Sequence, residues 1–343
     1  MNLTIIIPTY NRPANLEACL TYLEQIKLLA KVVVVDGSVE ESAKENQRII
    51  LAKRPATRYI RGEGVLHPLT RCCLALAEVS TPYCVVCADD DFMIPSALSR
   101  CIDFLDVNPD YSSAQGTSLR LPSSEGAAGW GRNSIIGNLD MDCPVERVIH
   151  HLSSYAHTCY AVHRTAVLQK SLHFAGAAPF VSLDGCLWLQ AELAQSICTV
   201  VQGKSAWLPM LYICRTPTIG DRQDEQEYCH PNFSKCVAAI KQYALFPLEN
   251  DPKQIKEASQ LYDLVMGKYL AKRKVSLTSK SYSFWPWKGS RQTFSRKPSL
   301  SGSVRELAKL SEWTALKKAY PDAIPFNLKS KWSRNLYYRL WKS

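Results

Sequence analysis

Tyr83-Cys84-Val85-Val86-Cys87-Ala88-Asp89-Asp90-Asp91-Phe92 is the stretch on which the reading of this chain turns. Its first half is apolar, contains β-branched Val, and is bounded by Thr81-Pro82. Such a run reads as a strand buried on both faces. Its end carries three consecutive carboxylates. Three like charges at the tip of a buried strand repel one another, and a folded chain tolerates them when a cation or positive ligand neutralises them. Oxygen-only donors on a tight turn suit Mg²⁺ or Mn²⁺. In an open α/β sheet, ligands bind at the carboxyl ends of strands. The stretch therefore predicts a hard divalent cation at the mouth of an α/β site. The competing reading is a solvated acidic turn; it is weakened because the acids follow a core strand directly.

The segments before it have the same character. Leu3-Thr4-Ile5-Ile6-Ile7 is a short apolar strand, ended by Pro8 and the polar turn Thr9-Tyr10-Asn11-Arg12-Pro13. Asn15 suits the cap of a helix running to about Ile26, with Leu16, Cys19, Leu20 and Leu23 on one face. Lys31-Val32-Val33-Val34-Val35 is a second buried strand, closed by Asp36-Gly37-Ser38. A helix from Glu40 to about Ala52, a strand over 57–60 and a helix around 69–79 lead into the acidic strand. This alternation predicts an α/β fold with a mostly parallel sheet. The first turn has no G-x-G-x-x-G, and no Walker A pattern occurs, so the usual dinucleotide and P-loop folds are excluded. Downstream, the pattern predicts a helix over 95–105, a strand over 111–121, a Gly/Ser-rich loop over 123–138 holding Trp130, and a helix over 145–152. It also predicts strand-like alternation over 154–164, a helix over 186–193, and strands over 199–201 and 206–214 ending at Arg215.

Composition bounds the setting. A chain of 343 residues suits one large domain with an appendage, or two domains. The strand-like run begins at Leu3 with no basic region before it, which reads as the absence of a signal peptide, and no apolar run approaches a membrane span. The 13 cysteines are odd in number and lack a framework of spacings, so free thiols in a reducing cytosol are expected. Cys84-x-x-Cys87 lies within the strand, and alternation sends its two thiols to opposite faces, which argues against zinc or redox chemistry. Charge is uneven. Residues 268–343 hold 18 Lys+Arg and 3 Asp+Glu, while the whole chain carries +10. The body is therefore mildly acidic and the C-terminal extension strongly basic.

Taken in order, Thr4-Ile5-Ile6-Ile7-Pro8-Thr9-Tyr10-Asn11-Arg12, Val34-Val35-Asp36-Gly37-Ser38 and Asp89-Asp90-Asp91 with Pro95 resemble the nucleotide-sugar half of family 2 glycosyltransferases, enzymes of the GT-A fold. The resemblance covers residues 3–105 well and continues more weakly to about 215. It implies a nucleotide-sugar co-substrate, a divalent cation and transfer to a hydroxyl with inversion. Pro8, Thr9 and Tyr10 would line the nucleobase and ribose pocket, and Asp36 would accept a hydrogen bond from a base, expected to be uracil. Arg12, Arg71, Asp89 and Asp90 complete the expected donor-binding set. Two of the three adjacent carboxylates would hold the metal, with Asp89 and Asp91 taken as the pair; the sequence Ala88-Asp89-Asp90-Asp91 departs from the common Asp-x-Asp pattern. The family's base is an Asp or Glu well downstream near a helix start, and Asp184 matches it; the same position also suits a helix N-cap. In the strand reading of 154–164, His157 and His163 share a face.

The resemblance, with the change in charge and pattern after it, divides the chain into a glycosyltransferase region over 1–220 and a helical basic extension over 221–343. It also implies a cytoplasmic setting in cell-surface polysaccharide or glycolipid synthesis, with a glycan or lipid-linked acceptor. Near the C-terminus, Trp332, Leu336, Tyr337, Leu340 and Trp341 recur at helical spacing beside Lys331, Arg334, Arg339 and Lys342. That pattern suits an anionic membrane surface; packing of the aromatics on the body is the alternative. Three other readings compete. A sugar-phosphate nucleotidyltransferase would need a Gly-rich loop after the first strand, which is absent. A nucleic-acid or polyanion binder could use the basic tail, although no nucleic-acid module accompanies it. A catalytically inactive scaffold of the same fold would have little reason to keep the acidic triplet and Asp184.

Overall fold

The computed structural model describes residues 1–62, 67–121, 131–132, 137–177, 179–182, 185–186, 188–216, 230–278 and 312–319. Strand β1 (Leu3–Thr9) is buried along its whole length and lies between β2 (Lys31–Asp36) and β4 (Tyr83–Val86), parallel to both. Beyond β2 lies β3 (Arg58–Arg61), also parallel. The period of two in these strands sorts their apolar residues into two cores. Ile5, Ile7, Val32, Val34 and Val85 face one layer with α1 (Pro13–Gln25) and α4 (Pro95–Val107). Ile6, Val33, Val35, Cys84 and Val86 face the other, with α3 (Pro68–Ala75) and three later helices. Those are α5 (Pro144–Ser153), α6 (Thr165–Ala175) and α7 (Trp188–Gln202). Cys84 and Cys87 fall in different cores, as alternation requires. The 11 cysteines whose side chains are described are free thiols.

The sheet continues through β8 (Val162–Arg164), β6 (Tyr111–Arg120), β11 (Lys204–Arg215) and β5 (Asp91–Met93), in the order β3-β2-β1-β4-β8-β6-β11-β5, with the short β7 (Gly131–Arg132) paired to β6. Its first four strands are parallel. In the second half β6 and β11 pair in parallel, whereas β8 and β5 run antiparallel to their neighbours. The architecture is thus α/β, as expected. Two further helices, α2 (Glu40–Lys53) and Phe233–Leu245, flank the body, followed by Pro252–Thr278 and Glu312–Ala319.

Several expectations from sequence are corrected. The first helix starts at Pro13, with Arg12 as its N-cap and no side-chain capping bond, so Asn15 lies inside the helix. Pro at the first helical position supplies the start signal instead. Residues 154–161 do not form a strand; only Val162–Arg164 does. Ala161 N–H bonds Thr158 O in a turn, and Thr158 N–H is taken by Ser196 Oγ. Thr199–Val201 belongs to α7, not to a strand, and β10 (Gly185–Cys186) is a short strand paired with β9 (Val181–Ser182) before the helix begins. Trp130, the 332–341 pattern and Asp184 lie outside the described residues.

Candidate active site

The carboxyl ends of β1, β2 and β4 lie side by side, with Thr9 in register with Asp36, and Cys87 N–H bonded to Ile6 O. The chain leaves β1 through a turn in which Asn11 is left-handed (φ 54°). Asn tolerates that region because its short amide bonds locally. Here Asn11 N–H donates to Ser38 Oγ at 2.7 Å, and Asn11 Oδ1 accepts from Val39 N–H at 2.9 Å. The turn is thereby pinned to the loop after β2, and the next residue, Arg12, extends over the acidic turn.

Arg12 answers the charge problem posed by the three carboxylates. Its guanidinium pairs with Asp89 Oδ1 through Nη2 and with Asp90 Oδ2 through Nη1 at 3.0 Å. Thr9 Oγ1 donates to the other Asp89 oxygen at 2.7 Å. Asp91 leaves this group: its N–H closes a turn on Ala88 O, and it begins β5 at the far end of the sheet. Its carboxylate accepts from Arg215 Nε at 3.0 Å. Arg215 also donates to Tyr160 Oη at 3.2 Å, lies 4.5 Å from the centre of the Tyr160 ring and approaches His157 Nε2 at 3.4 Å. Burial pushes Asp89 up to about 6 and Asp91 up to about 7, with the paired guanidinium groups pulling the other way. His157 therefore meets the Arg215 cluster. His163 is instead a buried structural group whose Nδ1–H donates to Ala161 O at 2.7 Å.

Asp36 is fully buried and accepts three hydrogen bonds: from Ser38 N–H at 2.7 Å, Asn46 Nδ2 at 2.8 Å and Tyr59 Oη at 2.9 Å. A carboxylate offers about four lone-pair positions, so this one is held rigidly and nearly saturated. Arg71 is buried, with its guanidinium 5.5 Å from the centre of the Tyr10 ring; burial lowers its pKa. Pro8, Thr9, Tyr10, Arg12, Asp36, Arg71, Asp89 and Asp90 are thus gathered at one end of the sheet, while Asp91 is turned toward Arg215. Asn46, Ser38, Tyr59 and Asn11 were missed from sequence. Asn46 carried a signal: it interrupts the buried helical stripe Ala43, Ile49 and Ile50.

A hard divalent cation in a phosphate site is usually held by one or two carboxylates, with phosphates and water filling the other positions. The side chain of Asp90 is 16% exposed, against 0% for Asp89 and 1% for Asp91. Asp90 fits that role. Asp89 and Asp91 are buried against guanidinium groups and do not fit it as they stand. Among the described residues, no three His, Cys, Asp or Glu side chains converge as a protein-only metal cage.

Residues 4–163 match Glycosyl transferase family 2. No curated protein matches the sequence. Two solved structures of S. aureus TarS 1–349 are similar in fold. One is 16% identical with a TM-score of 0.52, and the match covers 98% of this chain and 86% of that one. The other, in complex with UDP-GlcNAc, is 18% identical with a TM-score of 0.51, covering 98% and 87%. At such identities the likeness concerns the fold alone. Over residues 4–163, a little under half of its length, the chain is similar to the family 2 glycosyltransferases.

Proposed function

We propose that the protein transfers a sugar from a uridine diphospho sugar, with a divalent cation, to an acceptor hydroxyl with inversion at the anomeric carbon. The observation that carries this reading is the convergence of Thr9, Arg12, Asp36, Asp89 and Asp90 where β1, β2 and β4 end. The rigid Asp36 carboxylate has about one acceptor position left, which suits the imide N–H of uracil. A bound UDP-GlcNAc in a TarS structure of this fold supports a uridine nucleotide. Arg71 and Arg12 offer cationic groups to a diphosphate. A divalent cation, when bound, would stabilise charge developing on the leaving diphosphate, with Asp90 as its protein ligand.

Asp184 is the proposed base. It would take the proton of the acceptor hydroxyl as that oxygen bonds to the anomeric carbon and the nucleotide diphosphate departs. The basic C-terminal extension favours a lipid-linked or polyanionic acceptor at an anionic surface. The test is a thermal-shift series of nucleotides with and without Mn²⁺, run alongside turnover of UDP-sugars. UDP with Mn²⁺ should raise the melting temperature. Asp90→Ala should lose that cooperation, and Asp184→Asn should keep the shift but lose turnover by on the order of a hundredfold or more. No shift with any nucleotide, or near-normal turnover in Asp184→Asn, would overturn the proposal.

A further inference from the structure

We infer that Arg12 is a built-in counter-cation that occupies the charge position of the divalent ion until the nucleotide arrives, and so makes cation binding depend on nucleotide. This deepens the metal-dependent reading above and rests on it. Four observations carry it. A single guanidinium bridges both Asp89 and Asp90. Asp90 is the one carboxylate of the three that is open to an incoming cation. The Arg12 side chain is 43% exposed, so it is free to leave, whereas Arg215, paired with Asp91, is mostly enclosed. Finally, Arg12 is aimed by a constructed turn: left-handed Asn11 bonded to Ser38 and Val39 on one side, and the helix start at Pro13 on the other.

A guanidinium and a divalent cation cannot both sit against Asp90 without strong repulsion at such short range. In the nucleotide-free protein the guanidinium is tethered and already in place, so a dilute metal ion competes poorly. A diphosphate changes that balance. It offers anionic oxygens to both cations at once, so Arg12 can turn to the phosphates while Asp90 is released to the metal. The acidic turn remains neutralised in both states, which removes the need for a resident metal ion to hold the fold.

The experiment is Mn²⁺ binding followed by electron paramagnetic resonance, with and without UDP. It uses wild type, Arg12→Gln and Arg12→Lys, each first shown to be folded by circular dichroism. Without UDP, Arg12→Gln should bind Mn²⁺ about tenfold or more tightly than wild type, because a competing charge is gone. Arg12→Lys, which keeps that charge, should resemble wild type. With UDP, the advantage of Arg12→Gln should shrink or reverse. Equal Mn²⁺ affinity of wild type and Arg12→Gln without UDP, while UDP still promotes Mn²⁺ binding, would overturn the inference and leave the metal-dependent reading standing. No Mn²⁺ binding by any variant, even with UDP, would overturn both.

Discussion

Asp91 shows how one carboxylate of an acidic turn can be paired away from its two neighbours. It is buried, its partner Arg215 comes from the last long strand, and burial has pushed its pKa up to about 7 from an ordinary 3.8. A folded-state pKa raised above the unfolded one means that folding favours the proton. The associated stability is therefore full below about pH 4 and is lost as the pH rises through about 7. Arg215 is the group that limits the loss, because it favours the ionised form. Arg215→Leu leaves a buried carboxylate without its cation, a change that typically costs about 3 kcal/mol. The penalty should be smallest near pH 5, where Asp91 takes a proton, and largest near pH 8. Urea unfolding at the two pH values checks this, and a penalty independent of pH would refute it. Adding Asp91→Asn to Arg215→Leu should recover part of the stability at the higher pH, since no charge is then stranded.

At the scale of elements, β6 and β11 show where the halves of the molecule depend on each other. Their register slips between Trp207 and Leu211, so β11 bulges as it passes β6. The bulge passes close to Gly116: a Cβ there would lie 2.6 Å from Met210 O and 2.8 Å from Tyr212 Cβ. Backbone cannot yield cheaply, so Gly116→Ala should lower stability by about 2 kcal/mol, as overpacking does. Tyr212 O accepts from Ile94 N–H just beyond β5, so the strain should also reach the turn that holds Asp89 and Asp90 and weaken UDP binding. Calorimetry with a UDP titration measures both effects; an Ala variant as stable as wild type would remove this account of the glycine. The same region marks the limit of what the sequence discloses. β1, β2 and β4 were legible because each is a short, almost wholly apolar run followed at once by polar residues, and that pattern also located Thr9, Asp36 and Asp89. Thr199–Val201 misled, since β-branched residues favour strands, yet here Gln195 Nε2–H bonds Thr199 Oγ1 inside a buried helix. Arg12 was placed at the site, but its role as counter-cation was not legible, because it depends on a pairing across 77 residues of chain.

For the whole molecule, the relevant fact is that the chain does not stop packing where its composition changes. Cys236, Ile240, Tyr262, Val265 and Met266 join the core built by α3 and α5–α7. Trp313, Ala315 and Leu316 of Glu312–Ala319 enter the other core beside Leu16, Leu20 and Leu23 of α1. A segment some 300 residues from α1 thus covers the helix that Arg12 caps. Trp313 is 6% exposed, and Trp313→Ala should cost about 3 kcal/mol by the measure of large aromatic deletions. The sequence after Ala319 is a different matter, with Lys329, Lys331, Arg334, Arg339 and Lys342 set among Trp332, Tyr337 and Trp341. Cations near an anionic bilayer contribute about 1 kcal/mol each, and aromatic residues add interfacial burial. If that segment serves a surface while Glu312–Ala319 serves the fold, the two functions separate at residue 319. On that division, a chain ending there should melt within about 2 °C of the full chain and should lose binding to vesicles containing anionic lipid. Trp313→Ala should do the reverse, melting lower while its folded fraction still sediments with the vesicles. A shortened chain that binds vesicles as well as the full chain would assign the surface elsewhere, and one that melts far lower would make the terminal segment part of the core.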